Sequence, residues 1–295
     1  MTETYFYSTF DKFPSFSGPF PYTVPLDQTS VIGDHMVVNL IQKGDYISSL
    51  YLEMGTNSLE NLEYFEVLIS KTLVYRFTGE IIHILRQLRT PKQKKPLFDS
   101  RIQIPINPFP ALGEVQFRLK VNTNTVVQAS NMSITADFIY TGKPTDGMFF
   151  IEQIQQVNTL TDLRLRNCVK ELFIVVQNQT QRGTFNYSNV SGGHNVTNLD
   201  LYLNQELKFS EGPVYFSTVQ QLAKHTSTLD FVYVMPFCLN PEDPSPSGTL
   251  NMSMVQRQRL EVLLSDSDPK DIRVYALSYN ILNVKNNLGT LLFVL

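Results

Sequence analysis

The chain has 295 residues, 42% of them hydrophobic and 17% charged, with a net charge of −3. That length accommodates two domains, and the charged share lies below the ~25% common in globular proteins, as suits a surface hidden in contacts. The weakly acidic balance excludes a global basic field, so no specific nucleic-acid partner is expected.

The first residues, MTETYFYSTFDKF, carry acids and lack a basic region followed by an apolar core, so they do not read as a secretory signal. Strands follow. Val37–Gln42 is one, Lys43-Gly44-Asp45 turns it, and Tyr46–Glu53 is the next. Phe65–Phe77 is largely apolar with polar interruptions. After Thr78-Gly79-Glu80, the residues Ile81, Ile82, Ile84, Leu85 and Leu88 fall at helical spacing and predict a packing helix ending near Leu88. The next strand starts near Arg101, and only Arg89–Ser100 lies between. Val115–Val121 alternates apolar with basic or polar residues, which predicts one buried and one solvated face. Met132–Tyr140 alternates likewise, with Ile134, Ala136, Phe138 and Tyr140 on one face. The turn-rich stretch Thr141–Gly147 breaks the pattern and reads as a linker.

A second strand set follows: Phe149–Val157, Val169–Gln177, Leu199–Phe209, Leu229–Leu239, Thr249–Met254, Leu260–Leu264 and Ile272–Val284. Pro213 suits a first helical turn, and Phe216, Val219, Leu222 and Ala223 then make a stripe expected to face the core. The Asn/Gly/Ser-rich stretch Gln177–Asn198 reads as a mobile surface loop, and Pro241–Gly248 as a tight one. Short strands at regular spacing, without alternating long helices, predict an all-β sandwich or barrel. No apolar run approaches the ~18 residues of a membrane span, so the chain reads as soluble.

Several segments carry a family resemblance. FFIEQIQQV, RNCVKELFIVVQN (with Val169, Lys170, Glu171 and Leu172), LDLYLNQELKFSEGPVYFSTVQQLAKHTS, FVYVMPFCLNPEDPSPSGTLNMS and IRVYALSYNIL occur in this order. The third holds Lys208-Phe209-Ser210-Glu211 as a turn, with His225 and Thr226 at the helix end. FYSTFDKFPSFSGPFPYTVP and RIQIPINPFPALGEVQFRLKV extend the match, more loosely, into the first half. Together they resemble the major capsid proteins of nucleocytoplasmic large DNA viruses, of the iridovirus and phycodnavirus type.

The resemblance implies a double jelly roll: two eight-stranded antiparallel barrels side by side, each with a short helix. Residues 1–141 would form the N-terminal jelly roll, 148–295 the C-terminal one and 142–147 the linker. It also implies a structural protein of the virion, assembled in the host cell, in its cytoplasm, as a homotrimeric capsomer of an icosahedral shell. Expected partners are further copies, neighbouring capsomers, and minor capsid proteins or an inner membrane. The alternatives are a minor capsid or assembly-scaffold paralogue, or a cupin-like or carbohydrate-binding jelly roll outside any shell.

Catalytic and metal chemistry find little support. His35, His83, His194 and His225 form no His-x-His or His-Glu-x-x-His pair, so no metal and no cofactor are expected. Ser191-Gly192-Gly193-His194 lacks the strand-to-helix context of a nucleophile elbow. Cys168 and Cys238 read as small buried hydrophobes rather than a disulfide framework. Six Asn-x-Ser/Thr sequons, at Asn131, Asn178, Asn186, Asn189, Asn195 and Asn251, read as products of a polar surface. One charge cluster stands out: Arg86, Arg89, Lys92, Lys94, Lys95 and Arg101. It reads as a solvated loop or as a contact for an acidic minor protein or anionic lipid. Because Arg89–Ser100 is short, a low-relief capsomer is expected, with display confined to loops such as Gln177–Asn198.

Overall fold

The computed structural model describes residues 4–5, 17–25, 30–32, 35–40, 43–54, 58–90, 101–111, 114–122, 132–140 and 146–293. Internal packing groups the chain into two units. Met1–Arg86, Gln93–Gln153 and Asn280–Val294 form the first; Gln87–Lys92, Ile154–Tyr279 and Leu295 form the second. The linker expected at 142–147 lies largely outside the described residues, and the units divide within two long strands, Gly147–Val157 and Lys270–Lys285.

The first unit holds two antiparallel sheets. One runs in the order Ser30–Ile32, His35–Leu40, Val115–Val121, Leu62–Ile69, Thr72–Phe77. The other runs Ser17–Pro25, Ser133–Tyr140, Tyr46–Glu53, Ile102–Ile104, with Phe109–Pro110 also on Tyr46–Glu53. A short parallel pair, Thr4–Tyr5 with Met148–Phe149, departs from the antiparallel expectation.

Local sequence explains the faces. Val115, Phe117, Leu119 and Val121 are buried, while Gln116, Arg118 and Lys120 stay partly exposed. Gln116 donates its amide to Asn39 Oδ1 at 2.9 Å, and Lys120 Nζ lies 3.0 Å from Glu63 Oε2. The Phe65 and Phe117 rings stack at 5.8 Å, a contact worth about 0.5–1.5 kcal/mol beyond burial.

Two expectations need correction here. Phe65–Phe77 is not one run: Leu62–Ile69 and Thr72–Phe77 form a hairpin turning at Ser70 and Lys71, with φ of 49° and 69°. Two successive positive φ values are what a two-residue hairpin turn of type I′ requires. Ser70 Oγ donates to Asn287 O at 2.8 Å, and Thr72 Oγ1 to Gly289 O at 2.7 Å. In Ser133–Tyr140, Ile134, Ala136 and Phe138 are buried as expected, but Ile139 is buried and Tyr140 exposed. The register slips between Asp137 and Phe138 against one neighbour and between Phe138 and Tyr140 against the other. A bulge shifts the period-2 pattern by one residue, which turns the following side chains over.

The second unit packs two sheets on one core. Cys168–Asn178 is central in one, antiparallel to Lys270–Lys285 on one side and to Val232–Pro236 and Leu250–Asn251 on the other. In the other sheet Val196–Leu203 lies between Glu206–Glu211 and Gln258–Leu264. Leu172, Ile174 and Val176 from the first sheet and Leu199, Leu201 and Leu260 from the second share one apolar cluster. Leu199–Phe209, expected as one strand, is a hairpin through Asn204 and Gln205, with φ of 51° and 72°. Lys208–Glu211 therefore lies in a strand and not in a turn. Thr249–Met254 is a two-residue strand followed by a 3₁₀ turn, Met252–Met254.

The helix Gly79–Arg89 forms as expected and buries Ile81, Ile82, Ile84, Leu85 and Leu88. Thr78 Oγ1 accepts from Ile81 N at 3.4 Å, and Glu80 stands in the first turn, where a carboxylate suits the helix dipole. A Cβ on Gly79 would lie 2.0 Å from Leu59 O and 2.8 Å from Leu62 O, both main-chain atoms. Gly79→Ala should therefore cost about 2 kcal/mol or more, read as a lowered midpoint in chemical denaturation. An unchanged midpoint would refute this close approach.

Candidate functional site

In Cys168–Asn178 the successive residues Val169, Lys170, Glu171 and Leu172 are all buried. A plainly alternating strand packed on one side would expose half of them. This strand is central in its sheet, and its register against Lys270–Lys285 slips between Val169 and Glu171. Lys170 and Glu171 are each 0% exposed. A buried charge costs several kcal/mol unless it is paired and hydrogen-bonded.

Both charges find partners within the second unit. His225, which follows the helix Gln220–Lys224, places Nε2 2.8 Å from Glu171 Oε1 and Nδ1 3.4 Å from Glu242 Oε1. Burial alone would push the imidazole down, but hydrogen bonds to Glu171 and Glu242 and their charges outweigh it, raising its pKa to about 9. The ring is therefore imidazolium at neutral pH. Burial pushes Glu242 up, yet hydrogen bonds from His225 and Thr226 hold it below the usual carboxylate range. Thr226 N donates to Glu242 Oε1 at 2.7 Å, and the Thr226 hydroxyl bonds the other oxygen. Lys170 Nζ donates to Asp243 O at 2.6 Å and lies 5.3 Å over the Tyr279 ring. Glu242 and Asp243 belong to the loop 241–248, so the buried charges clamp that loop to the central strand.

A Glu–His–Glu arrangement invites a catalytic reading, but the chemistry argues for a clamp. The neighbouring thiol, Cys238, is pushed up by burial and then by the charge of Glu171, which disfavours a thiolate nucleophile. Cys238 is buried as expected, whereas Cys168 is only partly so. Among the described residues no group of three His, Cys, Asp or Glu is arranged to hold a metal ion. His194 packs edge-on against Phe231 at 5.1 Å, its pKa lowered chiefly by burial.

The helix after Pro213 overturns its expectation. Tyr215–Val219 winds as a π-helix before the α-turns of Gln220–Lys224. The wider turn changes the phase of the stripe. Phe216, Ser217 and Gln221 point inward, whereas Val219 is 49% and Leu222 67% exposed, and Ala223 is exposed too. Gln221 holds this orientation: its amide donates to Leu229 O at 3.1 Å and Val232 O at 2.7 Å, and its Oε1 accepts from Leu229 N at 2.7 Å. Val214 and Leu239 are also exposed, and Lys224 Nζ donates to Leu239 O at 3.1 Å. An outward apolar helix face is informative where scattered exposed leucines are not.

The loop read as mobile is cross-bonded. Gln177 Nε2 donates to the carbonyls of Gln181, Thr184 and Asn186, at 2.9, 2.9 and 2.8 Å. Asn195 Nδ2 donates to Val176 O and Tyr187 O, both at 2.9 Å. Asn178 and Asn195 are buried, so two of the six sequons are shut inside the fold.

The basic cluster is divided. Lys92, Lys94 and Lys95 lie outside the described residues. Arg86 and Arg89 are partly buried on the first helix. Arg101 is engaged, stacking over the Tyr51 ring at 4.3 Å and facing Glu53 at 3.8 Å.

Comparison with known proteins places this geometry. A family model described as large eukaryotic DNA virus major capsid protein matches residues 140–290. The major capsid protein of Phaeocystis pouchetii virus is 36% identical over 100 residues, covering 32% of this chain and 19% of that protein. That of Chrysochromulina ericina virus is 34% identical over 109 residues, 35% of this chain and 19% of that protein. The match thus spans about a fifth of the length of these relatives. Among solved structures, PBCV-1 VP54, fitted into a reconstruction of the virophage Sputnik, superposes with a TM-score of 0.78 at 15% identity, covering 99% of this chain and 100% of that one.

The clamp predicts a pH signature. His225 has a folded pKa of about 9, above its ordinary 6.5, so its contribution is complete below about pH 6.5 and is lost as pH rises through 9. At ~1.4 kcal/mol per pH unit this is about 3 kcal/mol. Denaturation midpoints should fall between pH 7 and 10 in the wild type. His225→Gln, less stable at pH 7, should be flatter over that range; equal slopes would contradict the buried imidazolium.

Proposed function

The chain belongs to the family of major capsid proteins of large eukaryotic DNA viruses, structural proteins of the virion with a double jelly-roll fold, and we propose that it builds an icosahedral shell as a homotrimeric capsomer. Two jelly rolls per chain let three chains present six similar lobes, and a threefold ring closes its own interfaces. The observation that carries this reading is the outward face of the second helix, where Val214, Val219 and Leu222 are exposed while the polar Ser217 and Gln221 are buried. Such a face gains by burial against another subunit, at about 25 cal/mol per Å² of apolar area.

The role is structural rather than catalytic. The charged centre around His225 supports this, because each of its groups is directed at another group of the fold. The residues Lys92, Lys94 and Lys95 support contact with an acidic minor capsid protein or an anionic membrane under the shell. A minor capsid or assembly-scaffold role is the second reading; a relative that is 30% identical over 173 residues is called a probable capsid protein 4 and not a major one. Copy number in purified particles separates the two.

Light scattering on the purified protein at micromolar concentration should give the mass of a trimer. Leu222→Glu combined with Val219→Glu should shift it to monomer while leaving the melting temperature nearly unchanged, since both side chains are exposed. A wild-type monomer, or a double variant that stays trimeric, would count against this interface.

A further inference from the structure

A cavity of about 530 Å³ opens on the second unit, a volume that suits a small ligand. Three segments wall it. The hairpin through Asn204 supplies Tyr202 and Gln205, the approach to and start of Gln258–Leu264 supply Gln256, Arg257, Gln258 and Arg259, and the loop before Leu163 supplies Thr161 and Asp162. These walls are tied together. Asn204 N donates to Arg257 O at 2.9 Å, and Asn204 Oδ1 accepts from Gln256 N at 2.9 Å. Leu163 N donates to Gln258 O at 2.9 Å, and the buried Gln258 side chain accepts from Leu165 N at 2.8 Å and donates to Leu165 O at 2.9 Å. A site on tied elements is preorganised.

The lining separates into committed and uncommitted groups. Arg259 stacks over the Tyr202 ring at 4.2 Å and pairs with Glu261 at 2.7 Å, making a flat, charge-balanced wall. Asp162 pairs with Arg164 at 2.7 Å. In the lining Gln258, and elsewhere in this unit Gln155, Gln177 and Gln221, commit their amides to other groups of the fold. The side chains of Thr161, Gln205, Gln256 and Arg257 make no such contact among the described residues, and all four are exposed.

We infer that this cavity binds an acidic sugar, a hydroxyl-rich ring bearing one carboxylate. The Arg257 guanidinium matches a carboxylate in a bidentate fork. Gln205, Gln256 and Thr161 supply neutral donors and acceptors for hydroxyls, and the Tyr202–Arg259 stack gives a flat surface for the ring. A dianionic phosphate fits less well, since Arg257 is the one uncommitted cation of the lining and Asp162 repels a second charge. The site lies within one chain and does not rest on trimer formation.

Calorimetry on the full chain tests this with methyl galacturonide, its carboxyl-reduced neutral counterpart methyl galactoside, inorganic phosphate and a triglutamate peptide. The galacturonide should bind, with the neutral sugar, phosphate and peptide each at least about tenfold weaker. Arg257→Ala should lower galacturonide affinity about tenfold, the scale of one charged hydrogen-bonded contact. Gln256→Ala should lower it by a smaller factor, and both variants should melt like the wild type. No galacturonide binding, equal binding of the neutral sugar, or full affinity in a folded Arg257→Ala would overturn the proposal. Stronger binding of phosphate would assign the cavity to a phosphorylated ligand, and stronger binding of the peptide to an acidic protein segment; either overturns it.

Discussion

The second unit depends on the pairing of its buried charges. Lys170, Glu171 and the His225 side chain are removed from water; Glu171 and His225 cannot be separated without stranding each other, and Lys170 is held by Asp243 O and the Tyr279 ring. Breaking a buried pair by deleting one partner typically costs 3–5 kcal/mol, even though assembling the pair gains little net stability. The value of such a centre is positional. Glu171 fixes His225, which fixes the end of the helix; Glu242 and Asp243 fix the loop that follows Val232–Pro236.

That positioning reaches the surface. With its end held by His225 and its middle by Gln221, the short helix cannot roll to bury its apolar stripe. The π-turn sets the phase and polar groups hold it, so Val219 and Leu222 stay outside. An isolated soluble protein gains nothing from this arrangement, whereas a subunit that must meet copies of itself does. The first unit is built differently. Its core includes an aromatic group, with Tyr75 near Phe77 and Phe109, and the first helix buries its stripe in the ordinary way.

Much of this fold was legible in the residues. Tyr46–Glu53 and Val115–Val121 show their strand periods plainly, and the first helix shows both its stripe and its Thr78 start. The hairpins at Ser70-Lys71 and Asn204-Gln205 were not, because their turns use residues other than glycine at positive φ and interrupt otherwise strand-like runs. The face of Tyr140 was misread because a bulge leaves no mark in an alternating pattern. The second helix was misread because a period of 3.6 was applied to a π-turn. The charged centre had a signal that went unread: adjacent Lys170 and Glu171 inside an apolar strand demand distant partners. His225 is that partner for Glu171 and Asp243 O for Lys170, yet 54 residues separate Glu171 from His225 and 73 separate Lys170 from Asp243, and only folding joins them.

The most direct measurement is a density map of the assembled particle with this chain fitted into it. The account predicts three copies around each threefold axis, with Val219 and Leu222 buried against a neighbouring copy and the loop 241–248 closed over Lys170 as in the single chain. A map in which the second-helix face points to solvent, or in which single copies are dispersed among capsomers built by another protein, would contradict it.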